Sequence, residues 1–224
     1  MERILEPEVM DTEAEAIAYD SIDLTEVNTV FAQHTVSLGP PAACVLDAGT
    51  GTARIPILIA QLRPAWQIVA IDLAQSMLAI AEKNILAAQV SHQIRLEFVD
   101  AKCLPYADHS FDGIISNSLL HHLPNPRPFF QEIRRILKPQ GFLYLQDLLR
   151  PDNPEKLAQQ VAEVTPNWDS DQIQLFQDSL QAAFTLTEIK DLSTLLGLSG
   201  LKIYQSSERH WTLERPYQKA DRED

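Results

Sequence analysis

With 224 residues, 45% of them hydrophobic, the chain can build one generous domain, or one domain with helical decoration, around a real core. Its formal net charge of −13 and pI near 4.8 argue against nucleic acid or an anionic membrane as partner, because both demand an electropositive footprint. The acidic first residues lack the basic region and apolar core of a signal peptide, and no apolar run approaches the roughly 18 residues of a membrane span. Cys44 and Cys103 show no paired spacing and read as reduced structural thiols, so the expected setting is the cytoplasm.

Residues 1–40 are strongly acidic and contain two helix-like segments, 12–19 and 24–38. In the second, Leu24, Val27, Val30 and Phe31 recur at helical spacing, with His34 extending the stripe, so that face is expected to be covered. Gly39-Pro40-Pro41 stops it. Lying before the first strand, these helices read as a cap on the core or as a lid over a ligand, and the two roles are compatible.

From residue 41 strands and helices alternate. Ala43 to Leu46 form a short apolar run, as a central strand covered on both faces requires. Ile55, Ile57, Leu58, Ile59 and Leu62 mark the first core helix, with Pro56 tolerated in its first turn. Gln67-Ile68-Val69-Ala70-Ile71 is a second strand ending at Asp72, and Met77, Leu78, Ala81 and Ile85 line the next helix. Residues 94–99 alternate as a strand up to Asp100, and residues 111–116 make a fourth strand leading to Asn117. Phe129, Phe130, Ile133, Ile136 and Leu137 form a helical stripe ended by Lys138-Pro139-Gln140-Gly141. Phe142-Leu143-Tyr144-Leu145 is the fifth strand, with Asp147 at its mouth.

Residues 151–185 break this rhythm with two further helical runs, one begun by Asn153 as N-cap with Pro154 behind it, the other following Pro166. An insertion there is placed to roof a site and set specificity. A helix over 187–196 ends at Gly197 and Gly200, and Leu201-Lys202-Ile203-Tyr204 with His210-Trp211-Thr212-Leu213 reads as a closing hairpin. The expected organisation is an N-terminal helical lid over 1–40, a main domain over 41–214, and a polar tail over 215–224. Such alternation implies an α/β fold: a doubly wound, mostly parallel sheet of about seven strands with helices on both faces and a C-terminal antiparallel hairpin. Ligands of such sheets sit beyond the carboxyl ends of the strands, which collects Asp47, Asp72, Asp100, Asn117 and Asp147 at one edge.

The richest stretch is Asp47-Ala48-Gly49-Thr50-Gly51-Thr52-Ala53, where Gly49 and Gly51 let the backbone turn sharply and approach a ligand ahead of a helix N-terminus. A carboxylate two residues before the first glycine attracts a cation and repels a pyrophosphate. The dinucleotide fingerprint also wants a third glycine where Arg54 stands. Asp47-x-Gly49-x-Gly51-x-Ala53 resembles the first motif of the class I S-adenosylmethionine-dependent methyltransferases, of the small-molecule, quinone-biosynthesis-like kind. That family usually has glycine at the position of Ala53, and alanine keeps the close approach provided its φ stays negative.

The resemblance implies further roles. Asp47, Gly49 and Gly51 would hold the methionine end of S-adenosylmethionine; Asp72, followed by Leu73, would take the ribose hydroxyls. Asp100 and the Ala101 N–H would take the adenine, and Asn117 would close the cofactor site. Phe111-Asp112, and Leu137-Lys138-Pro139 with Gly141, match the family's later motifs. The activity implied is methyl transfer to a small organic acceptor at oxygen, carbon or nitrogen. Alternatives are an NAD-dependent oxidoreductase on a similar sheet, and a catalytically silent partner subunit.

Asn117-Ser118-Leu119-Leu120 lacks the Asn-Pro-Pro-Tyr type of sequence used on planar amide or base nitrogens. In His121-His122-Leu123-Pro124, His121 is the candidate general base for a hydroxyl acceptor, against the alternative that both histidines fix the turn. Adjacent histidines do not easily chelate one metal, and no other histidine or cysteine stands at ligand spacing, so no metal is expected. Neither nucleic acid nor membrane is an expected partner, and a homodimer is left open.

Overall fold

The computed structural model describes residues 1–9, 11–164 and 168–219. Pro166 and residues 220–224 of the expected tail lie outside these. In chain order the elements are α1 (Glu13–Asp20), α2 (Thr25–Leu38), β1 (Ala43–Ala48), α3 (Arg54–Leu62), β2 (Trp66–Asp72), α4 (Gln75–Ala87), β3 (Ile94–Phe98), β4 (Phe111–Asn117), α5 (Arg127–Ile136) and β5 (Leu137–Leu148). They continue with α6 (Pro154–Val164), α7 (Ser170–Ala182), α8 (Leu186–Ser193), β6 (Lys202–Gln205) and β7 (His210–Arg215). The strands form one seven-stranded sheet in the order β3-β2-β1-β4-β5-β7-β6. The first five are parallel, and β7 pairs antiparallel with both β5 and β6. None of the described helices is long and apolar enough to cross a membrane.

Period-two alternation divides the core between the two faces of the sheet. Val45 packs with Ile57, Ile59, Trp66, Ile68 and Phe142, while the adjacent Leu46 packs with Ile71, Ile114, Phe129, Phe130 and Ile133. Local signals set the helix ends. Thr12 and Glu15 form a reciprocal capping box on α1, as do Asp169 with Gln172 on α7 and Thr185 with Glu188 on α8. The Asn153 side chain accepts from the Lys156 N–H at 2.8 Å at the start of α6.

Three local expectations change. On α2 the buried residues are Phe31, Ala32, Thr35 and Leu38, whereas Val27 and Val30 are 58% and 60% exposed. The N-terminal turns of this helix border a cavity, so only its C-terminal half meets the core. Residues 138–141 do not separate helix from strand: β5 begins directly at Leu137, opposite Phe111, and register resumes with Phe142 opposite Gly113. The four residues bulge out between those pairs, tied down by a 2.6 Å ion pair between Lys138 and Asp112. Leu62, expected in the core stripe of α3, is 45% exposed.

Arg215 ends β7 and is buried, donating to the carbonyls of Ser199 at 2.9 Å, Gly141 at 2.7 Å and Pro139 at 2.7 Å. The chain after it stays attached, with the Tyr217 N–H on the Leu38 carbonyl at 2.8 Å.

Among the glycines the least room is at Gly113, where a Cβ would lie 2.0 Å from Phe142 Cε1. Gly113→Ala is expected to destabilise the protein by about 1–3 kcal/mol through overpacking, read by denaturant unfolding, and Phe142→Leu in the same chain should recover part of the loss. A change within about 0.5 kcal/mol would show that the ring moves freely, contrary to this packing.

Candidate active site

The site begins where β1 turns into α3. Gly49, Gly51 and Ala53 have φ of 73°, 54° and 61°, so three alternate residues are left-handed. At Gly49 a side chain would also strike Leu119, whose Cβ lies 3.0 Å from the Cβ position. The turn's N–H groups are taken up within the protein: those of Gly49 and Thr50 donate to the Ile71 carbonyl at 3.0 and 2.9 Å, and that of Gly51 to Asp72 Oδ2 at 2.7 Å. What the glycines offer a ligand is therefore room rather than free donors. Ala53 departs from the expectation, since it occupies the left-handed region that L-residues avoid.

Two carboxylates flank this turn. Asp47 is buried and accepts from the Thr50 hydroxyl at 2.7 Å; burial pushes its carboxyl up to about 7, with the nearby Asp72 charge adding to the rise. Asp72 is also raised, chiefly by burial, while the N–H groups of Ala74, Gly51 and Leu73 oppose the rise. Its Oδ1 takes the Ala74 N–H at 2.9 Å and its Oδ2 that of Gly51, which leaves each oxygen further acceptor capacity.

A cavity of about 640 Å³ opens in front of these groups. Gly49, Gly51, Asp72, Leu73, Asp100, Ala101, Asn117 and His121 all line it, whereas Asp47 sits in an adjoining recess with Thr50 and Asn117. The topology thus brings the expected residues of β1, β2, β4 and the segment after β3 to one place. Much of the remaining wall is apolar and comes from both ends of the chain: Leu24, Val27 and Val30 on one side, Trp168, Leu175 and Phe176 on the other. Tyr19 reaches the same cavity from α1, whose C-terminal Asp20 makes a bidentate pair with Arg54 at 2.9 and 2.7 Å. Lys102 pairs with Asp100 at 3.0 Å and with Glu8, and Glu8 and Val9 line the cavity as well.

His121 and His122 occupy a short 3₁₀ turn, Leu120–His122. Nδ1 of His121 lies 2.5 Å from Asp147 Oδ1, and the other oxygen of Asp147 accepts from the Leu120 N–H at 2.6 Å. Burial pulls His121 down, but the Asp147 and Glu6 carboxylates outweigh it and leave its pKa raised. His122 is depressed to about 3 by burial and by its neighbour. Glu6, raised by burial, places Oε1 3.5 Å from His121 Nε2 and 3.1 Å from His122 Nδ1. His121 therefore offers no free ring nitrogen to the cavity in this arrangement, because Asp147 and Glu6 face one each.

Sequence reasoning missed Glu6, Tyr19 and the Glu8–Lys102 pair. Glu6 lies 115 residues before His121, and no spacing signal connects them. Tyr19 had a weak signal, as an aromatic on the last turn of an acidic helix just before Asp20.

Residues 46–145 match a family model described as a methyltransferase domain. A demethylmenaquinone methyltransferase of Lactobacillus johnsonii is 34% identical over 110 residues, covering 49% of this chain and 45% of the relative. The O-methyltransferase resE of Aspergillus sclerotiorum is 31% identical over 153 residues, 66% of this chain and 58% of that one. The chain spans about half the length of the curated relatives it matches. Among solved structures, an S-adenosylmethionine-dependent methyltransferase from Aquifex aeolicus aligns with a TM-score of 0.66 at 14% identity, covering 91% of this chain and 97% of that one. Phosphoethanolamine N-methyltransferase 2 of Haemonchus contortus, in complex with phosphomonomethylethanolamine and S-adenosylhomocysteine, aligns at 0.71 and 15% identity, covering 93% and 58%. At these identities the structures share the fold.

The left-handed alanine yields a prediction of unusual sign. Ala53→Gly removes a steric cost of roughly 1–2 kcal/mol, less what the buried methyl contributes. The substitution should leave stability unchanged or raise it by up to about 1 kcal/mol in equilibrium unfolding. A loss of about 1 kcal/mol, the usual result within a helix, would mean that the turn is not left-handed here.

Proposed function

We propose, from the methyltransferase-domain model that residues 46–145 match, that this chain is a class I S-adenosylmethionine-dependent methyltransferase that transfers a methyl group from S-adenosylmethionine to a small organic acceptor. The observation that carries the reading is the gathering of the left-handed glycine turn, Asp72, Asp100 and Asn117 around one cavity at the carboxyl ends of the parallel strands.

The residues present fit the cofactor. Asp72 keeps an acceptor site on each oxygen for a vicinal diol, and Asp100 with the Ala101 N–H lies along the same wall for the adenine. Gly49 and Gly51 leave room at the turn for the amino-acid end, with Asp47 behind them to favour its ammonium. Asn117 reaches both compartments. Once bound, S-adenosylmethionine supplies an electrophilic methyl on a sulfonium. The chain's work is then to bind, orient and exclude water, holding acceptor and methyl at roughly 3–3.5 Å in line.

The acceptor end belongs to the apolar wall. Leu24, Val27 and Val30, together with Trp168, Leu175 and Phe176, suit a largely apolar molecule with a polar reacting atom. The relatives' names, a demethylmenaquinone methyltransferase and an O-methyltransferase, support a quinone-like or hydroxyl-bearing acceptor. On this reading residues 1–40 act as a lid and 151–185 as a roof. His121 serves as the base only where Glu6 moves aside. Two free cysteines and the acidic charge support a cytoplasmic setting without nucleic-acid or membrane partners. A homodimer stays an open alternative.

The test is thermal unfolding with S-adenosylmethionine, its demethylated product and NAD. Saturation at about 100 times the dissociation constant stabilises by roughly 2.7 kcal/mol, and the first two ligands should each raise the melting temperature while NAD does not. A response to NAD alone would replace this reading with the oxidoreductase. A response to the first two with no turnover on any quinone or phenol, unless another protein is added, would favour the partner subunit. Asp72→Ala, and the gentler Asp72→Asn, should lose the ligand response while keeping far-UV circular dichroism.

Asp47 adds a pH dependence. A carboxyl raised to about 7 by burial is neutral below that pH and cannot pair with an ammonium. Affinity for S-adenosylmethionine should therefore rise roughly tenfold from pH 6 to pH 8, and the rise should flatten in Asp47→Asn. Without ligand the sign reverses: the folded state loses stability as pH climbs from the unfolded carboxylate value toward about 7.

A further inference from the structure

We propose that Glu6, His121 and His122 form a binding site for a divalent transition metal of the zinc class in the wall of the cavity. Histidines at adjacent positions rarely converge, but the 3₁₀ turn stacks these two rings with centroids 4.2 Å apart and planes 36° from parallel. The N-terminal strap then supplies the third group. One ligand atom from each of the three side chains lies within 4.8 Å of the others. Glu6 Oε1 is 3.1 Å from His122 Nδ1 and 3.5 Å from His121 Nε2. Donors bound tetrahedrally at about 2.0–2.1 Å stand about 3.4 Å apart, which the two separations from Glu6 match, while the two imidazole nitrogens lie within 4.8 Å of each other.

Two further observations point to a ligand. Glu6 Oε1 and His122 Nδ1 are buried with no hydrogen-bond partner, and the Glu6 side chain is only 4% exposed. The other Glu6 oxygen is already satisfied by the Ser179 hydroxyl at 3.0 Å, which turns Oε1 toward the histidines. Asp147 also holds His121 Nδ1 from behind. That carboxylate–histidine arrangement fixes the tautomer and leaves Nε2 as the electron-pair donor, as in established metal centres.

The strap is anchored beside the site. Arg3 donates from Nε to the Ala182 carbonyl at 2.6 Å and from Nη2 to the carbonyls of His121 and Leu123, each at 3.0 Å, with its guanidinium 3.9 Å from the Phe184 ring centroid. Two imidazoles and one carboxylate are the donor set of open zinc sites, in which the fourth position takes water or substrate. Both histidines line the cavity, so that fourth position faces the acceptor space. An acceptor oxygen bound there would be positioned and made more acidic. That use rests on the methyl-transfer reading; the metal site itself does not.

The full chain, dialysed against a chelator, is titrated with Co²⁺ and then Zn²⁺. The expected result is one equivalent of Co²⁺ with the visible bands of a tetrahedral ion, displaced by Zn²⁺, and a higher melting temperature with metal. Glu6→Gln and His122→Ala should each abolish the bands, and Asp147→Asn should weaken binding about 10–100-fold. His210→Ala, which alters a histidine of the same cavity outside the cluster, should bind as the wild type does. Should one variant fail to fold, the other carries the test. Absence of stoichiometric binding, or unchanged binding in a folded Glu6→Gln or His122→Ala, overturns the proposal and leaves only an ion pair closing the strap. The melting response to S-adenosylmethionine in the chelated protein reports on the cofactor reading separately.

Discussion

The reversal of the chain between β1 and α3 is the constraint on which the site depends. Three left-handed residues, Gly49, Gly51 and Ala53, make it possible, and the N–H groups of Gly49, Thr50 and Gly51 lock it to β2. Because Gly49 and Thr50 donate to Ile71 and Gly51 donates to Asp72, the turn is a continuation of the β1–β2 pairing. The same bonds orient the Asp72 carboxylate and bury Asp47 behind the turn. Loosening the turn would therefore move two acidic groups at once.

The buried acids differ in what compensates them, and this divides their functions. Burial raises every one of them, but Asp147 ends below the ordinary range because His121 pairs with it. Asp72 is held by several N–H groups against the rise. Asp47 has the Thr50 hydroxyl alone and stays near 7. A carboxylate buried without a cation is costly unless something positive arrives. Asp147 is thus a structural acid, satisfied by its own fold, while Asp47 has no cation beside it, which is what the proposed pairing with a ligand ammonium would supply.

The order of elements was legible because each of the first four strands is a short apolar or alternating run with an acidic or amide residue at or just beyond its end: Asp47, Asp72, Asp100, Asn117. Asp72, Asp100 and Asn117 then follow the topological rule for ligands into one cavity, with Asp47 in the recess beside it. The stripe on α2 misled for a physical reason. Val27 and Val30 have the spacing of core residues, yet they border the cavity, and hydropathy alone cannot distinguish a wall that awaits a ligand from one that packs on a sheet. Arg215 was hidden differently, since its charge suggests solvent but its guanidinium closes three carbonyls at the 138–141 bulge and the loop before β6. Glu6 could not be found at all, because its meeting with His121 exists only once the N-terminal segment packs against α7 and the histidine turn.

This division runs along the chain as well. The segment that matches the family model, residues 46–145, contains the turn and the carboxylates Asp72 and Asp100 that line the cavity. The apolar wall and the strap come from outside it: Val27 and Val30 precede it, Trp168 and Phe176 follow it, and Glu6 reaches the histidines from the N-terminal side. These two outer parts also bind each other, through Ser179 to Glu6, Arg3 to the Ala182 carbonyl and the Ile4 N–H to the Gln181 carbonyl at 3.2 Å. A relative aligned only over the central segment informs the cofactor end more than the acceptor end. On the proposed reading, acceptor choice would depend on how the strap and the insertion meet beside the histidines, through contacts that lie outside the matched segment.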